Sequence, residues 1–565
     1  MENILELTIF ELLKKRVKTE ENLARVKRKI AERYKISCPS NIKLLKAYHN
    51  LLKKKRIKKS EILENLLKKR KIRSLSGVIV VSVLTKPYPC PGKCIYCPIE
   101  KGMPKSYLSG EPAAERAKKL KFDPYLQVQK RIESLKKQGH PTDKIELRII
   151  GGTFSFYPLD YKIWFLSNSF AAANQRKKIK KGSWEILKKE QKINEKARQR
   201  IVGIAIETRP DFTNEKEILN SRRLGVTMVE LGVQTIFDDI LEKNKRGHGV
   251  KETILATKLL KEAGFKVMYQ MMPNLPGSNL KKDLKCFQEI FQNPDFKPDW
   301  LKIYPTVVCK GSELYQIWKT PKENLRFPTG QKGKYKPYSD KKLIDLLIKI
   351  KEKLPYWVRV ARLLRDIPAE KIEAGCKISN LREVIHQEMK KRGLKCKCIR
   401  CREVRENYNP KEKVYLFREN YNASGGKEIF LSFENKKREK LYSFLRLRIP
   451  KSAENGSPLI MPVLENVAII REIQTYGQMV PLGEKSLAPQ HRGLGKKLIK
   501  EAERIVKKEF KNSHVPIRIA EVQAKRGRRR AVRIQKIVAI SGVGVRQYWR
   551  ELGYKLRDTY MIKKI

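Results

Sequence analysis

Three cysteines within eight residues constrain this 565-residue chain more than any other feature. They stand in Lys86-Pro87-Tyr88-Pro89-Cys90-Pro91-Gly92-Lys93-Cys94-Ile95-Tyr96-Cys97-Pro98, directly after the apolar run Gly77–Leu84. Three thiolates on one short loop can ligate three irons of a 4Fe–4S cluster. The fourth iron then stays open to an exogenous chelate, such as the amino and carboxylate groups of a methionine. A zinc knuckle lacking one ligand is the plainer reading, but this spacing just after a first strand favours the cluster.

The rest of the bulk evidence agrees with a large intracellular enzyme. Ten cysteines, six of them in two tight groups, suit metal binding rather than a disulfide framework. The start, Met1–Lys18, is broken by Glu2, Glu6 and Glu11 and lacks a cleavage site, so it does not read as a secretory signal. No apolar run approaches the ~20 residues needed to span a bilayer. The expected location is the cytoplasm, away from membranes. Lys and Arg number 126 against 60 acidic residues, a formal charge of +66. Ion-pair networks of a heat-adapted protein would raise acids and bases together. An excess of one sign instead points to a polyanion, because each cation placed on a phosphate releases a counterion.

Organisation along the chain follows from pattern. Residues 1–75 read as basic helices, with apolar residues at helical spacing (Ile4, Leu5, Ile9, Leu12, Leu13) between runs such as Lys53-Lys54-Lys55-Arg56. From 76 to 315, six short β-branched runs alternate with helical segments: Val78–Leu84, Ile145–Ile150, Val202–Ile206, Thr227–Leu231, Lys266–Gln270 and Leu301–Val307. That alternation predicts a parallel sheet of the α/β class, a partial (β/α)6 barrel. Each strand ends in a chemically loaded loop, which places a site on the carboxyl edge. Gly151-Gly152 leave backbone bare for close approach of a ligand, and Glu207 ends a strand on the same edge. Residues 316–412 form a connector with the second cysteine group, Cys396, Cys398 and Cys401. These offer soft ligands for a structural zinc, with Cys376 or His386 as the fourth. Residues 413–565 change to successive strands, read as an antiparallel sheet: Val414–Glu419, Ile429–Phe433, Leu441–Leu447, Val467–Thr475 and Met479–Leu482. A glycine turn, Gln490-His491-Arg492-Gly493-Leu494-Gly495, then opens an amphipathic helix to Phe510. Bare N–H groups at a helix start form an anion site.

The cysteine loop matches the radical S-adenosylmethionine (SAM) superfamily pattern, and Gly151-Gly152 resemble its glycine motif that meets the methionine amino group. Glu207 would suit a ribose hydroxyl or an amine. The Gln/Arg-x-x-Gly-x-Gly form at 490–495 resembles the pyrophosphate loop of GNAT acetyltransferases, an α+β fold. Radical SAM followed by GNAT, together with stretches such as Phe122-Asp123-Pro124-Tyr125, Gly203–Asp211, Glu230–Thr235, Lys302–Thr306 and Ile540–Gly544, resembles the catalytic subunit of Elongator in its single-chain archaeal or bacterial form.

That resemblance implies an acetyl-CoA-dependent carboxymethylation at carbon 5 of the wobble uridine of tRNA. A 5′-deoxyadenosyl radical would take hydrogen from the acetyl methyl group, the carbon radical would add to uracil, and thioester hydrolysis would leave the carboxymethyl group. It implies cluster ligands at Cys90, Cys94 and Cys97. It implies acetyl-CoA contacts at Lys144, Glu472-Ile473-Gln474-Thr475, Gly493-Leu494-Gly495 and Tyr548. An electron donor for the cluster is required, and a homodimer is compatible with the sequence. The segment 516–535, with Lys525-Arg526-Gly527-Arg528-Arg529-Arg530, departs from the family as a basic insertion expected to touch tRNA. A protein lysine acetyltransferase with a structural iron–sulfur domain is the competing reading, but it leaves the basic N-terminus without a purpose.

Overall fold

The computed structural model describes residues 2–68, 74, 77–320, 335–405, 409, 411–450, 461–477, 493–510 and 534–565. The chain opens with four helices, α1 (Glu2–Lys14), α2 (Glu20–Arg33), α3 (Asn41–Lys53) and α4 (Glu61–Leu67). Thr19, Ser40 and Ser60 cap the last three, each accepting an N–H of the first turn. Their apolar stripes close on a small core of their own around Ile9, Leu44, Tyr48, Leu51 and Leu63. The charge run Lys53–Arg56 falls outside that core and is exposed.

The first sheet carries β1 (Ile79–Leu84), β2 (Lys144–Ile150), β3 (Arg200–Thr208), β4 (Met228–Gln234), β5 (Lys266–Met271), β6 (Trp300–Ile303) and β7 (Arg359–Arg362). All neighbours are parallel and lie in chain order, as right-handed βα crossovers produce. The sheet thus has one strand more than the six units read from the sequence. The seventh comes from the segment assigned to the connector, where only four residues and two arginines disguise it. Arg359 N donates to Asp299 O at 3.1 Å, fixing its register.

The second sheet runs β13 (Lys555–Arg557), β14 (Tyr560–Lys564), β12 (Lys536–Ala539), β11 (Val467–Thr475), β10 (Leu441–Ile449), β9 (Gly426–Glu434) and β8 (Tyr415–Ala423). It is mixed rather than antiparallel throughout. β11 and β12 pair in parallel because the helix Leu494–Ile505 lies between them in the chain. Their pairing stops at Ile470 and Ala539, where β12 ends, while β11 continues to Thr475. The expected strand Met479–Leu482 and most of the basic insertion 516–535 lie outside the described residues.

The second sheet docks on the amino ends of the first sheet's strands. A Cβ on Gly542 would collide with Val202 O, and one on Gly544 would sit 2.6 Å from Arg200 Cβ, so only glycine lets loop 541–545 meet the start of β3. Beside it lies a buried ion network. Arg471 donates to Asp299 at 2.5 and 2.8 Å and to Glu428 at 3.0 Å, and Lys261 approaches Asp299 at 3.4 Å. Surrounding guanidinium and ammonium groups overcome the burial penalty and hold the Asp299 carboxyl far below its usual range. Buried Coulomb attraction of this kind specifies geometry more than it adds stability.

Candidate active site

At the opposite, carboxyl end of the first sheet is a cavity of about 210 Å³, lined by the loops that follow the strands. Cys90, Cys94 and Cys97 all line it. Among the described residues, the only three metal-type ligand atoms within 4.8 Å of one another belong to the other cysteine group. The three thiols of the first group are not gathered that tightly, although Cys94 and Cys97 lie within hydrogen-bonding reach of each other. Arg246 Nη1 stands 3.2 Å from Cys94 Sγ, and Arg209 Nη2 donates to Arg246 O at 2.7 Å. The hydrogen bond between Cys94 and Cys97 draws the Cys94 thiol well below its usual range and pushes the Cys97 thiol well above it. The guanidinium groups of Arg246 and Arg209 add to the preference for thiolate at Cys94, which cluster ligation requires.

The cavity also holds polar groups that the protein does not satisfy. Gln234 Oε1, Arg209 Nη1 and Arg246 Nε are buried and without a hydrogen-bond partner, yet all three residues line the space. Each such atom calls for a partner, which a ligand or water in the cavity would supply. Gln234 further adopts φ +71°, a conformation unfavourable for a side-chain-bearing residue and characteristic of binding sites. The cavity thus fits a small polar, charged molecule beside the cysteines. The expected pair Gly151-Gly152 divides. Gly152 lines the cavity, whereas Gly151, at φ +133°, turns a bare Cα against Thr85. Glu207 lines the cavity and is held by Tyr107 Oη at 2.7 Å and Gln270 Nε2 at 3.1 Å, with Lys302 Nζ at 3.7 Å. Burial raises its pKa despite Lys302.

The sequence places Arg209 and Gln234 among the polar residues at the strand ends without giving either a contact, and it does not single out Arg246, Gln270 or Lys302. Gln234 ends a strand in Glu230-Leu231-Gly232-Val233-Gln234, where a polar side chain at the carboxyl edge was the available signal. Arg246 comes from a short turn beyond β4 and carries no such mark. Its guanidinium becomes a site residue only through its contacts with Gly232 O and Cys94.

The second candidate region forms where β11 runs on past the end of β12. Gly493 starts the helix Leu494–Ile505 at φ +71°, and, apart from its chain neighbours, no atom of the described residues lies within 4 Å of where a Cβ would stand. A Cβ on Gly495 would lie 3.5 Å from Thr475 Oγ1, 3.6 Å from Tyr548 Oη and 3.7 Å from Ile473 Cδ1. The structure therefore brings together Ile473, Thr475, Gly495 and Tyr548. Leu494 is buried beneath the helix as a packing residue. Glu472 and Gln474 point to the other face. Glu472 accepts from Arg446 Nε at 2.9 Å and Trp300 Nε1 at 3.3 Å, and Gln474 accepts from Tyr476 Oη at 3.2 Å. Their side chains serve the domain interface. Lys144 begins β2 opposite Arg200, whose backbone meets Gly544; burial lowers its pKa. Gln490 lies outside the described residues.

Cys396, Cys398 and Cys401 converge within 4.8 Å. His386 Nε2 stands 3.6 Å from Cys401 Sγ, whereas Cys376 lines the cavity instead. Of the two fourth ligands expected, the geometry favours His386. Ile399 N donates to Val358 O at 2.9 Å and Arg402 Nη1 to Glu434 at 2.6 Å, so this knot ties the last strand of the first sheet to the second.

Comparison with known proteins follows the same division. The model of the radical SAM superfamily matches residues 88–287, and that of the radical SAM C-terminal domain matches 298–391. The superfamily implies a 4Fe–4S cluster and SAM. The chain is 42% identical over 581 residues to a tRNA uridine(34) acetyltransferase of Methanocaldococcus infernus, covering 100% of this chain and 99% of the relative. It is 35% identical over 587 residues to Elongator complex protein 3 of Homo sapiens, covering 100% and 97%. The solved structure of archaeal Methanocaldococcus infernus Elp3 lacking residues 1–46 superposes with a TM-score of 0.69 at 41% identity, covering 87% of this chain and 100% of that one. No described helix is long and apolar enough to cross a membrane. The chain belongs to the family of Elongator complex protein 3 and the tRNA uridine(34) acetyltransferases.

Proposed function

We propose that this chain modifies uridine 34 of tRNA, using acetyl-CoA and SAM to place a carboxymethyl group on carbon 5. The observation that carries this reading is the pairing of two sites on one rigid frame: a cysteine-lined cavity at the carboxyl edge of the first sheet, and a glycine-turn helix entrance in a domain locked to its amino edge. Bound in the cavity, a 4Fe–4S cluster and SAM supply a 5′-deoxyadenosyl radical, which can take a hydrogen that no side-chain base removes near neutral pH.

The residues then have separable tasks. Cys90, Cys94 and Cys97 hold three irons. Gly152, Gln234, Arg209 and Glu207 receive the polar groups of SAM, and Gly151 gives its strand end the turn that exposes Gly152. The N–H groups from Gly493 to Gly495 receive the CoA pyrophosphate, with the helix dipole behind them. Ile473, Thr475 and Tyr548 flank the acyl end, and Lys144 adds positive charge on the facing domain. Cys396, Cys398, Cys401 and His386 hold a structural zinc. The four basic helices and the insertion 516–535 attract tRNA.

The test is Cys94→Ala in the full chain. The expected result is complete loss of carboxymethyluridine with tRNA and acetyl-CoA binding nearly intact. Persistence of the modification would overturn the role given to Cys94, and acetylation of lysine peptides that survives the substitution and needs no SAM would favour a protein acetyltransferase.

A further inference from the structure

An aromatic ledge beside the cysteine loop, exposed at Phe156 and half-buried at Tyr88 and Phe212, has no part in the functions assigned so far. Tyr88, two residues before Cys90, stacks on Tyr157 at 4.8 Å between ring centroids and meets Phe156 at 5.9 Å. Phe156 in turn packs edge-on against Phe212 at 5.4 Å. These rings follow β1, β2 and β3 respectively. Phe156 is 36% exposed, one of several large apolar side chains at the surface of the described residues. Pro87, Pro89 and Pro158 are exposed around it, and so are Lys86 and Lys93.

We propose that this ledge is the docking face for a low-potential, acidic one-electron donor protein of the flavodoxin or ferredoxin class. The proposal rests on the reading of the cavity as a 4Fe–4S and SAM site. Each reductive cleavage of SAM requires one electron to pass from the donor to the cluster, leaving the donor oxidised by one. Electron-transfer encounters are small and transient, and an apolar patch with a charged rim suits them. The chain's net charge of +66 would steer an acidic partner.

Unpaired nucleobases are the other class of occupant that aromatic rings attract, but position argues against them. Tyr88, Phe156 and Phe212 do not line the cavity, where the reacting base has to arrive. Arg362 and Asp366, whose side chains are 43% and 53% exposed, line the cavity at the opposite edge strand β7, and Pro112 is exposed on the β1 side. An RNA that reaches the cavity past β7 does not cross the ledge.

The experiment is anaerobic stopped-flow bleaching of the reconstituted cluster in the full chain, driven by photoreduced flavodoxin and, separately, by dithionite. Phe156→Ser is expected to slow reduction by flavodoxin about tenfold, with the dithionite rate and tRNA affinity unchanged. Lys86→Glu is expected to slow it too and to flatten its salt dependence. A flavodoxin rate unchanged in both variants overturns the ledge, as does a loss of tRNA affinity without a change in rate, which would assign it to nucleobases. Failure of dithionite to reduce any cluster in the unsubstituted protein would remove the underlying reading itself.

Discussion

Gly151 and Gln234 show how single residues shape the cavity. Gly151 combines φ +133° with a Cα pressed against Thr85, so a side chain meets both backbone strain and a clash. Gly151→Ala should destabilise the protein by roughly 3 kcal/mol, read as a lowered urea midpoint. Gln234 plays the opposite part, because its amide oxygen is buried and unsatisfied in the absence of a ligand. Gln234→Ala should leave folding stability nearly unchanged and weaken SAM binding by about tenfold, equivalent to ~1.4 kcal/mol for one hydrogen bond. Equilibrium dialysis against SAM checks it; unaltered affinity would exclude Gln234 from the site. The two residues also differ in legibility. Gly-Gly at a strand end is a local mark, whereas the unsatisfied amide of Gln234 exists only once neighbouring strands enclose it. Glu472 carried the reverse lesson. Its place in a family motif suggested a ligand contact, but its carboxylate is spent on Arg446 and Trp300.

At the level of elements, β12 ends at Ala539 while β11 runs on to Thr475, so the glycine turn meets a stretch of β11 that β12 does not cover. Tyr548 is held there by loop 541–545, which in turn depends on Gly542 passing Val202 without a Cβ. Filling the turn with Gly493→Trp should abolish acetyl-CoA binding in calorimetry while sparing the cluster spectrum. The knot around Cys396, Cys398 and Cys401 anchors the other side of the domain junction. Cys398→Ser should lose bound zinc by elemental analysis and lower the thermal midpoint, with SAM binding retained. Alternating βα texture was plain from composition and periodicity, because each strand is a β-branched run next to a loaded loop. β7 was not, since a strand of four residues reading Arg359-Val360-Ala361-Arg362 has neither length nor apolar continuity. The direction of β12 was equally hidden, for it depends on a crossover and not on any residue in the strand.

Across the whole molecule, the buried network of Asp299, Arg471, Glu428 and Lys261 fixes how the two sheets face each other. Asp299→Asn would leave Glu428 as the one carboxylate shared by Arg471 and Lys261 in a site with no side-chain exposure, at a cost of about 3–5 kcal/mol. Domain uncoupling should follow, seen as two unfolding transitions where the parent shows one. The excess of positive charge predicts tRNA affinity that falls steeply with salt; a flat dependence would contradict the role given to the basic helices.

The central claim is tested most directly by incubating the reconstituted protein anaerobically with unmodified tRNA, acetyl-CoA, SAM and a reductant, then analysing nucleosides by mass. The account predicts a carboxymethyl adduct on uridine that disappears when any one component is left out. An adduct formed without SAM, or intact uridine in the complete mixture while SAM is still cleaved at a verified cluster, would contradict it.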